Sequence, residues 1–493
     1  MHHRLLRIAT VSALVAAATA AVHDVGPGQT YTTIASVPAL APGDEVRIHS
    51  GTYHEVRRWR DVGTAANPII IRGVGPTRPV IDATGLNTSG SLPHPRAAFQ
   101  IEGSYITVER LEFRNAANAS DNGAGVRIAT FTTTVLGTVL RDCLITGNQM
   151  GIMSGQCDDT LIESCEIAYN GSDQYAHNCY LGGGATRVVG CWIHHAIQGQ
   201  NFKTRGHYTE LLYNRIEASS DGEVGLVDAA ETDAPHSNAL MVGNVIISAA
   251  RGPSQNQGKF INFGQDVGGH HHGTLYAYNN TFIAADPRIR FFTCQTADAS
   301  LVASGNVFVG SANIVEGAWG TVAGARNWMA NGAIIPAGFT GTVLGADPGF
   351  VDLAGRDARL TSGSPCREIA PTGLTYADGA GVTRAALATR EYREHLATSA
   401  RVDSGAPDAG AYGFDAGGGT SGTGTTTGTG TATGTGTTTG TATTGTSGTG
   451  TTGTGTTGGT GSSGDGNGGC GRGGGVALGL ALFTALMLTR SRR

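Results

Sequence analysis

The sequence predicts an all-β solenoid of parallel strands, followed by a low-complexity tether and a short apolar C-terminal segment. Three observations predict it. The first is a column of Cys and Asn: Cys143-Leu144-Ile145, Cys165-Glu166-Ile167, Cys191-Trp192-Ile193, Asn214-Arg215-Ile216, Asn244-Val245-Ile246, Asn280-Thr281-Phe282 and Asn306-Val307-Phe308. Successive copies stand 22 to 36 residues apart (143 to 165, 244 to 280), and Leu111-Glu112-Phe113 is an earlier, degenerate copy. Short β-branched strands repeating at that period, with Gly/Asn turns between them, stack each coil on the last. The second observation is alternation of period 2, as in residues 105–113, which sends alternate side chains to a narrow apolar interior and to solvent. The third is that no long amphipathic helical stretch interrupts residues 97–310, so βαβ crossovers are disfavoured.

The N-terminal segment, residues 1–20, reads as an export signal. Arg4 and Arg7 precede an apolar run from Ile8 to Ala18, and Ala18-Thr19-Ala20 has the form of a cleavage site. The domain predicted to fold is 21–415. Residues 21–68 form an N-terminal cap, with Pro42-Gly43-Asp44 and Asn67-Pro68 each turning into a β run; terminal rungs otherwise expose apolar faces and strand edges. The body follows over 97–310, and a less regular 311–415 is read as shorter rungs and a C-terminal cap. Residues 416–469 are almost only Gly, Thr, Ser and Ala, which bury no apolar surface, so they form a disordered tether. In 470–493, Cys470 precedes an apolar run from Val476 to Thr489 and then Arg490, Arg492 and Arg493. Extended through Gly473–Gly475, the run approaches the roughly 17 residues a membrane-spanning helix needs, with the arginines on the cytoplasmic side.

Composition agrees with this organisation. Gly is 77 of 493 residues and charged residues are 14%, a balance suited to a β-rich exported protein. The net charge of -5 argues against a nucleic-acid partner, which demands a basic stripe. Export would let the eight Cys oxidise, yet Cys143, Cys165 and Cys191 fall in the inward column. Stacked parallel strands, about 4.8 Å apart, aim those side chains poorly for a bridge, so they read as buried thiols.

These residues together resemble the parallel β-helix proteins of the pectin-lyase-like superfamily. The resemblance covers roughly residues 24–415. It is carried by Gly51-Thr52-Tyr53 with Asn67-Pro68-Ile69-Ile70-Ile71, by the Asn column, and by the closing segments 346–352, 360–365 and 407–412. It implies a right-handed coil and a carbohydrate-related role. The tail resembles the C-terminal sorting signal of myxobacterial surface proteins, which implies processing near Cys470 and surface attachment through a C-terminal membrane helix. Some members carry two Cys where this chain has one.

The candidate site lies where the low-charge pattern breaks, at His177-Asn178-Cys179-Tyr180-Leu181 and Gln200-Asn201-Phe202-Lys203-Thr204-Arg205. Counting back from the column aligns Cys179 with Phe202 inward and Tyr180 with Lys203 outward. Asn178 and Asn201 are expected as a second outward pair. The exposed row is then read as Ser154, Tyr180, Lys203, Asp228 and Asn262, with Arg205 on the same face. Such a face suits an acidic polysaccharide: amides exchange hydrogen bonds with hydroxyls, cations pair with uronate carboxylates, and Tyr180 stacks on a sugar ring. It also suits β-elimination, which needs a cation on the uronate carboxylate and a base for the adjacent proton. Tyr180 or His177 is the candidate acid or base. In the alginate-lyase and chondroitinase-B branch of the superfamily a lysine on an exposed strand acts as base with an assisting arginine, which the resemblance carries to Lys203 and Arg205. That branch's Asn-Gly-Glu segment before the lysine and its downstream Arg-His-Gly segment are absent.

Other readings stand beside this one. Lys203 and Arg205 are equally readable as a solvated polar face, and the whole chain as a non-catalytic adhesion protein. A glycoside hydrolase would need two carboxylates across a groove, Asp228 and Glu231 being the nearest pair. Asp221, Glu223, Asp228, Glu231 and Asp233 offer oxygen ligands for calcium, but their spacing matches no defined calcium loop, and a solvated acidic loop is the alternative. Gly269-His270-His271-His272-Gly273 reads as an exposed turn, since three adjacent His cannot all face one ion. Trp192, predicted outward, and the neighbouring His195 are further candidates for sugar contact. The column Asn residues are read as structural.

Overall fold

A computed structural model describes residues 20–129, 133–249, 258–264 and 266–415. Residues 1–19 of the export segment, the tether and the 470–493 segment with Cys470 lie outside the described residues. Among the described residues no helix is long and apolar enough to cross a membrane.

The described strands build a β-helix solenoid. Three long sheets run the length of the coil, with 13, 12 and 10 strands, termed here the first, second and third sheets. Every pairing within them is parallel, and each coil visits the third, the first and then the second sheet. Cys179–Leu181, Ala185–Val189 and Trp192–His194 make one coil, and Phe202–Thr204, Tyr208–Leu212 and Arg215–Glu217 the next. The inward column of the second sheet runs Ile145, Ile167, Ile193, Ile216, Ile246, Phe282 and Phe308, all fully buried. Alternation of period 2 therefore holds within strands, as the sequence predicts.

It fails at the corners, and the corners explain the Cys/Asn column. One residue in the left-handed region turns the chain from the first sheet into the second: Arg110, Asp142, Ser164, Gly190, Tyr213, Gly243, Asn279 and Gly305, at φ between 48° and 67°. Glycine adopts this region without the Cβ penalty, and Asp and Asn tolerate it better than most side chains. The residue after each corner then points inward. Cys143, Cys165, Cys191, Asn214, Asn244, Asn280 and Asn306 are all fully buried. Asn214 Oδ1 accepts the Cys191 amide at 2.9 Å, and each later Asn oxygen accepts both the backbone and the side-chain amide of the Asn before it: Asn244 Oδ1 takes Asn214 N at 2.9 Å and Nδ2 at 3.0 Å, and Asn280 Oδ1 takes Asn244 N and Nδ2 at 2.9 and 2.8 Å. The ladder runs on one coil further than predicted, Asn306 bonding to Asn327 Oδ1 at 2.9 Å. Asn is suited because the corner leaves an amide N–H that no strand can satisfy. All seven described cysteines are buried free thiols, and burial raises the Cys143 and Cys165 thiols well above their usual range.

The C-terminal part departs from the expected cap. Regular rungs continue to Val343–Gly345. The chain then packs along the side of the coil. Phe350, Leu360, Cys366, Ala370, Ala409, Ala411 and Tyr412 cover outward Val245, Ile247, Ile283, Val307 and Trp328 of the second sheet. Ala386, Leu374 and Tyr376 cover Tyr213, Leu240, Val242 and Tyr278 beside the first sheet. Those outward residues are apolar where the pattern calls for polar ones, which is the sequence trace of a covered face. Neither cluster includes an outward residue of the third sheet.

Candidate functional site

The outer face of the third sheet presents one row set by register: Gln100, Arg127, Met153, Tyr180, Lys203, Gly225, Asn262, Thr293 and Glu316. Tyr180 stands beside Lys203 as expected, and Asn262 belongs to the row. Two expected members do not. Met153 takes the place given to Ser154, and Gly225, not Asp228, neighbours Lys203. The turn between Val224–Val227 and Ala239–Val242 is long and holds a short 3-10 helix, Glu231–Asp233, so the fixed count from the column does not align this coil, and reading Leu226-Val227-Asp228 outward at Asp228 misses Gly225.

Asn178 and Asn201 are corrected more sharply. Both are fully buried and point inward, in a second amide ladder at the corner between the second and third sheets. Asn148 bonds to Asn170 Oδ1 at 3.0 Å, Asn170 Nδ2 to Asn178 Oδ1 at 2.9 Å, and Asn178 Nδ2 to Asn201 Oδ1 at 2.8 Å. Asn201 Nδ2 ends the ladder on Glu223 Oε2 at 2.6 Å. The close stacking leaves no room for a side chain at Gly151, where a Cβ would meet the Asn178 carbonyl at 2.2 Å. Burial lifts the Glu223 carboxyl to about 8, against the pull of the Asn201 amide.

Lys203 and Arg205 converge on a residue with no signal in the sequence pattern. Lys203 Nζ lies 3.0 Å from Asp266 Oδ2, and Arg205 Nη2 reaches the same oxygen at 2.5 Å. Arg205 Nε donates to Tyr180 Oη at 3.0 Å, and Lys203 Nζ sits 5.8 Å from the Tyr180 ring centre. The side chains of Lys203, Arg205 and Asp266 are 14%, 19% and 33% exposed, so the group is reachable from solvent but not freely solvated. Burial pushes the Asp266 carboxyl up, and Lys203 and Arg205 overcome that to hold it below the usual range.

Asp228 supports this group from behind. It is fully buried, and its carboxylate accepts from the amides of Asp266 and Val267 (2.5 and 3.0 Å) and of Gly269 (2.5 Å). Its carbonyl takes Arg205 Nη1 at 2.5 Å. It is thus the anchor of the 266–269 turn, not a surface contact, and cannot face Glu231 across a groove. His177 is also buried, edge-on beneath Tyr180 at 5.3 Å, with Nδ1 accepting the Gln200 amide at 2.9 Å. Burial first, and then Lys203, keep it neutral by pulling its pKa well below the usual value. It positions Tyr180 and is not open to a ligand.

The remaining candidates lie elsewhere. Trp192 and His195 belong to the second sheet and its corner, away from the Lys203 row. Trp192 faces outward and is half-buried; it stacks on His194 at 3.9 Å, donates to Glu217 Oε1 at 2.9 Å and meets His395 edge-on at 5.5 Å. His195 is exposed and stacks on Tyr169 at 5.1 Å. The five acidic residues considered for calcium do not converge: Glu223 faces inward, Asp228 anchors its turn, and Asp233 faces out beside His272. The triple-histidine turn is not uniformly exposed, since His271 is buried against Phe263 at 4.3 Å.

No family model matches the chain, and no curated protein matches it. Among solved structures it is similar to pectate lyase Pel9A, at 13% identity over 80% of this chain and 97% of that one, with a TM-score of 0.47. It is also similar to the GH136 lacto-N-biosidase from Eubacterium ramulus, at 14% identity over 66% and 67%, TM-score 0.43. A third is the alginate lyase from Paenibacillus sp. str. FPU-7, at 18% over 57% and 93%, TM-score 0.36. Likeness at this level assigns neither activity nor substrate.

Proposed function

We propose that this chain is a carbohydrate-active β-helix whose third-sheet face holds an acidic polysaccharide, and that it cleaves uronate linkages by β-elimination. One observation carries the reading: two cations two residues apart, Lys203 in a third-sheet strand and Arg205 just after it, converge on a single carboxylate oxygen, Asp266 Oδ2. A uronate carboxylate has the same charge and shape as the Asp266 carboxylate, and it enters by displacing it. Tyr180, half-buried beside both cations, offers its ring to the sugar and its hydroxyl to the linkage.

In the proposed reaction Arg205 neutralises the uronate carboxylate, and Lys203, once it has released its ammonium proton to solvent and stands as the free amine, takes the proton alpha to that carboxylate. The freed electron pair forms the C4–C5 double bond, the C4–O bond breaks, and Tyr180 Oη gives its proton to the leaving glycosidic oxygen. Incubating the full chain with a panel of uronic-acid polymers should produce the ultraviolet absorbance of a 4,5-unsaturated uronate, and Lys203→Ala should abolish it. No absorbance with any polymer, together with unchanged glycan retention by Lys203→Ala, would overturn both cleavage and binding at this face. Binding without cleavage is the second reading. It is favoured by Asp266, which already neutralises both cations, and retention without product would select it.

The reading includes export and surface attachment, proposed from residues 1–20 and 470–493. Envelope fractionation and mass spectrometry of the mature C-terminus near Cys470 test both. A chain retained in the cytoplasm with its apolar tail intact would contradict them.

A further inference from the structure

We propose that His270 and His272, with Asp233 and Asp298, form a binding site for a divalent transition-metal ion, Zn2+ being the best match. The 269–273 turn is extended, so alternate side chains part. His271 packs inward against Phe263, and His270 and His272 are left together on the outer side. His270 Nδ1 lies 2.8 Å from Asp298 Oδ2, and His272 Nε2 lies 3.9 Å from both Asp298 Oδ2 and Asp233 Oδ1. One ligand atom each from Asp233, His270 and His272 lies within 4.8 Å of the others. Tetrahedral Zn2+ with bonds of about 2.0–2.2 Å holds its ligand atoms roughly 3.3 Å apart. The present spacings bracket that value, so side-chain rotation alone closes the site.

The backbone beneath these side chains is already fixed. Thr232, fully buried, donates through Oγ1 to the His270 carbonyl at 2.9 Å and accepts the His272 amide on its own carbonyl at 3.0 Å. Its neighbour is Asp233. Gly269 N is held by Asp228, and Asp298 is steadied by Thr296 Oγ1 at 3.2 Å. The donors come from three successive coils, so a bound ion would tie those coils together. Two imidazoles with two carboxylates favour Zn2+ over Ca2+ or Mg2+, which take oxygen-only shells. The same turn carries Asp266, so the ion would also pin the turn that seats Asp266 on Lys203 and Arg205. The metal site itself does not rest on the polysaccharide reading.

The test uses the full chain with Zn2+ alone, titrated in competition with a chromophoric chelator, and Co2+ alone, followed by visible absorption. One equivalent should bind. His270→Gln and His272→Gln should each weaken binding about tenfold or more, as losses around metal centres commonly do, while His54→Gln, at an exposed position on an early coil, should not. The Co2+ form should give the strong visible bands of four-coordinate cobalt. Both ligands are exposed, 64% and 43%, so the variants should keep the wild-type circular dichroism. Zn2+ uptake unchanged in both variants, no uptake at all, or only the pale spectrum of hydrated Co2+ would overturn the proposal.

Discussion

Replacing Asn244 by Ala tests the ladder that sets the winding of the coil. Its side chain makes four bonds with buried partners: Oδ1 accepts from Asn214 N and Nδ2, and Nδ2 donates to the Leu211 carbonyl at 2.7 Å and to Asn280 Oδ1 at 2.8 Å. In the alanine variant Asn280 Oδ1 keeps the Asn244 backbone amide, and Asn214 Nδ2 keeps the Val188 carbonyl. The Asn214 amide and one Asn214 side-chain proton lose their partners, and the Leu211 carbonyl loses one of its bonds. Each buried orphan costs roughly 1–3 kcal/mol, so the variant should lose roughly 2–6 kcal/mol. That is a large share of the roughly 5–15 kcal/mol typical of folded proteins. Urea unfolding followed by far-ultraviolet circular dichroism measures it, with the exposed Asn331→Ala as control, expected within about 0.5 kcal/mol of wild type. An Asn244→Ala midpoint no lower than the control's would refute the reasoning.

Asp266→Asn removes the charge that occupies Lys203 and Arg205, so retention on an acidic-glycan column should rise; equal or weaker retention would count against a displaceable carboxylate. Tyr180→Phe should lower formation of unsaturated product about 100-fold, the usual worth of a general acid, with glycan retention little changed; full activity would remove Tyr180 from the chemistry. Glu223 predicts a pH dependence. Its folded pKa, about 8, stands above the ordinary 4.5, so the stability it contributes is full below 4.5 and is lost as pH climbs through about 8. Glu223→Gln should flatten thermal stability across that window, and an unchanged slope would contradict the assignment.

What the sequence made legible is what repeats at a fixed distance from a corner. The Asn and Cys of the first ladder each follow a left-handed corner residue, so their inward phase survives coils of different length. Asn327 belongs to that column but is followed by Trp328 and Met329, where earlier copies carry a β-branched or Phe residue two places on. Tyr180 beside Lys203 was reachable because the turns at 182–184 and 205–207 have equal length. Asp228 was not, because the turn that follows it is far longer. Strict alternation from Cys179 and Phe202 sent Asn178 and Asn201 outward, but both precede a strand at a corner, where alternation does not apply. Asp266 reaches Lys203 from 63 residues away, a contact set by stacking that no local pattern records. The cover laid by residues 350–415 had a trace in the apolar outward positions of the second sheet, Val245, Ile247 and Val307 among them.

The central claim is that Lys203 and Arg205 receive a sugar carboxylate on the third sheet. Calorimetric titration of the full chain with an oligouronate, and with the same oligomer after its carboxyl groups are reduced to alcohols, measures this most directly. The account predicts binding that vanishes with the reduced oligomer and falls about tenfold or more in Lys203→Ala, as loss of a charge-assisted contact of about 1.5–3 kcal/mol requires. Equal affinity for both oligomers, or for wild type and Lys203→Ala, would contradict it.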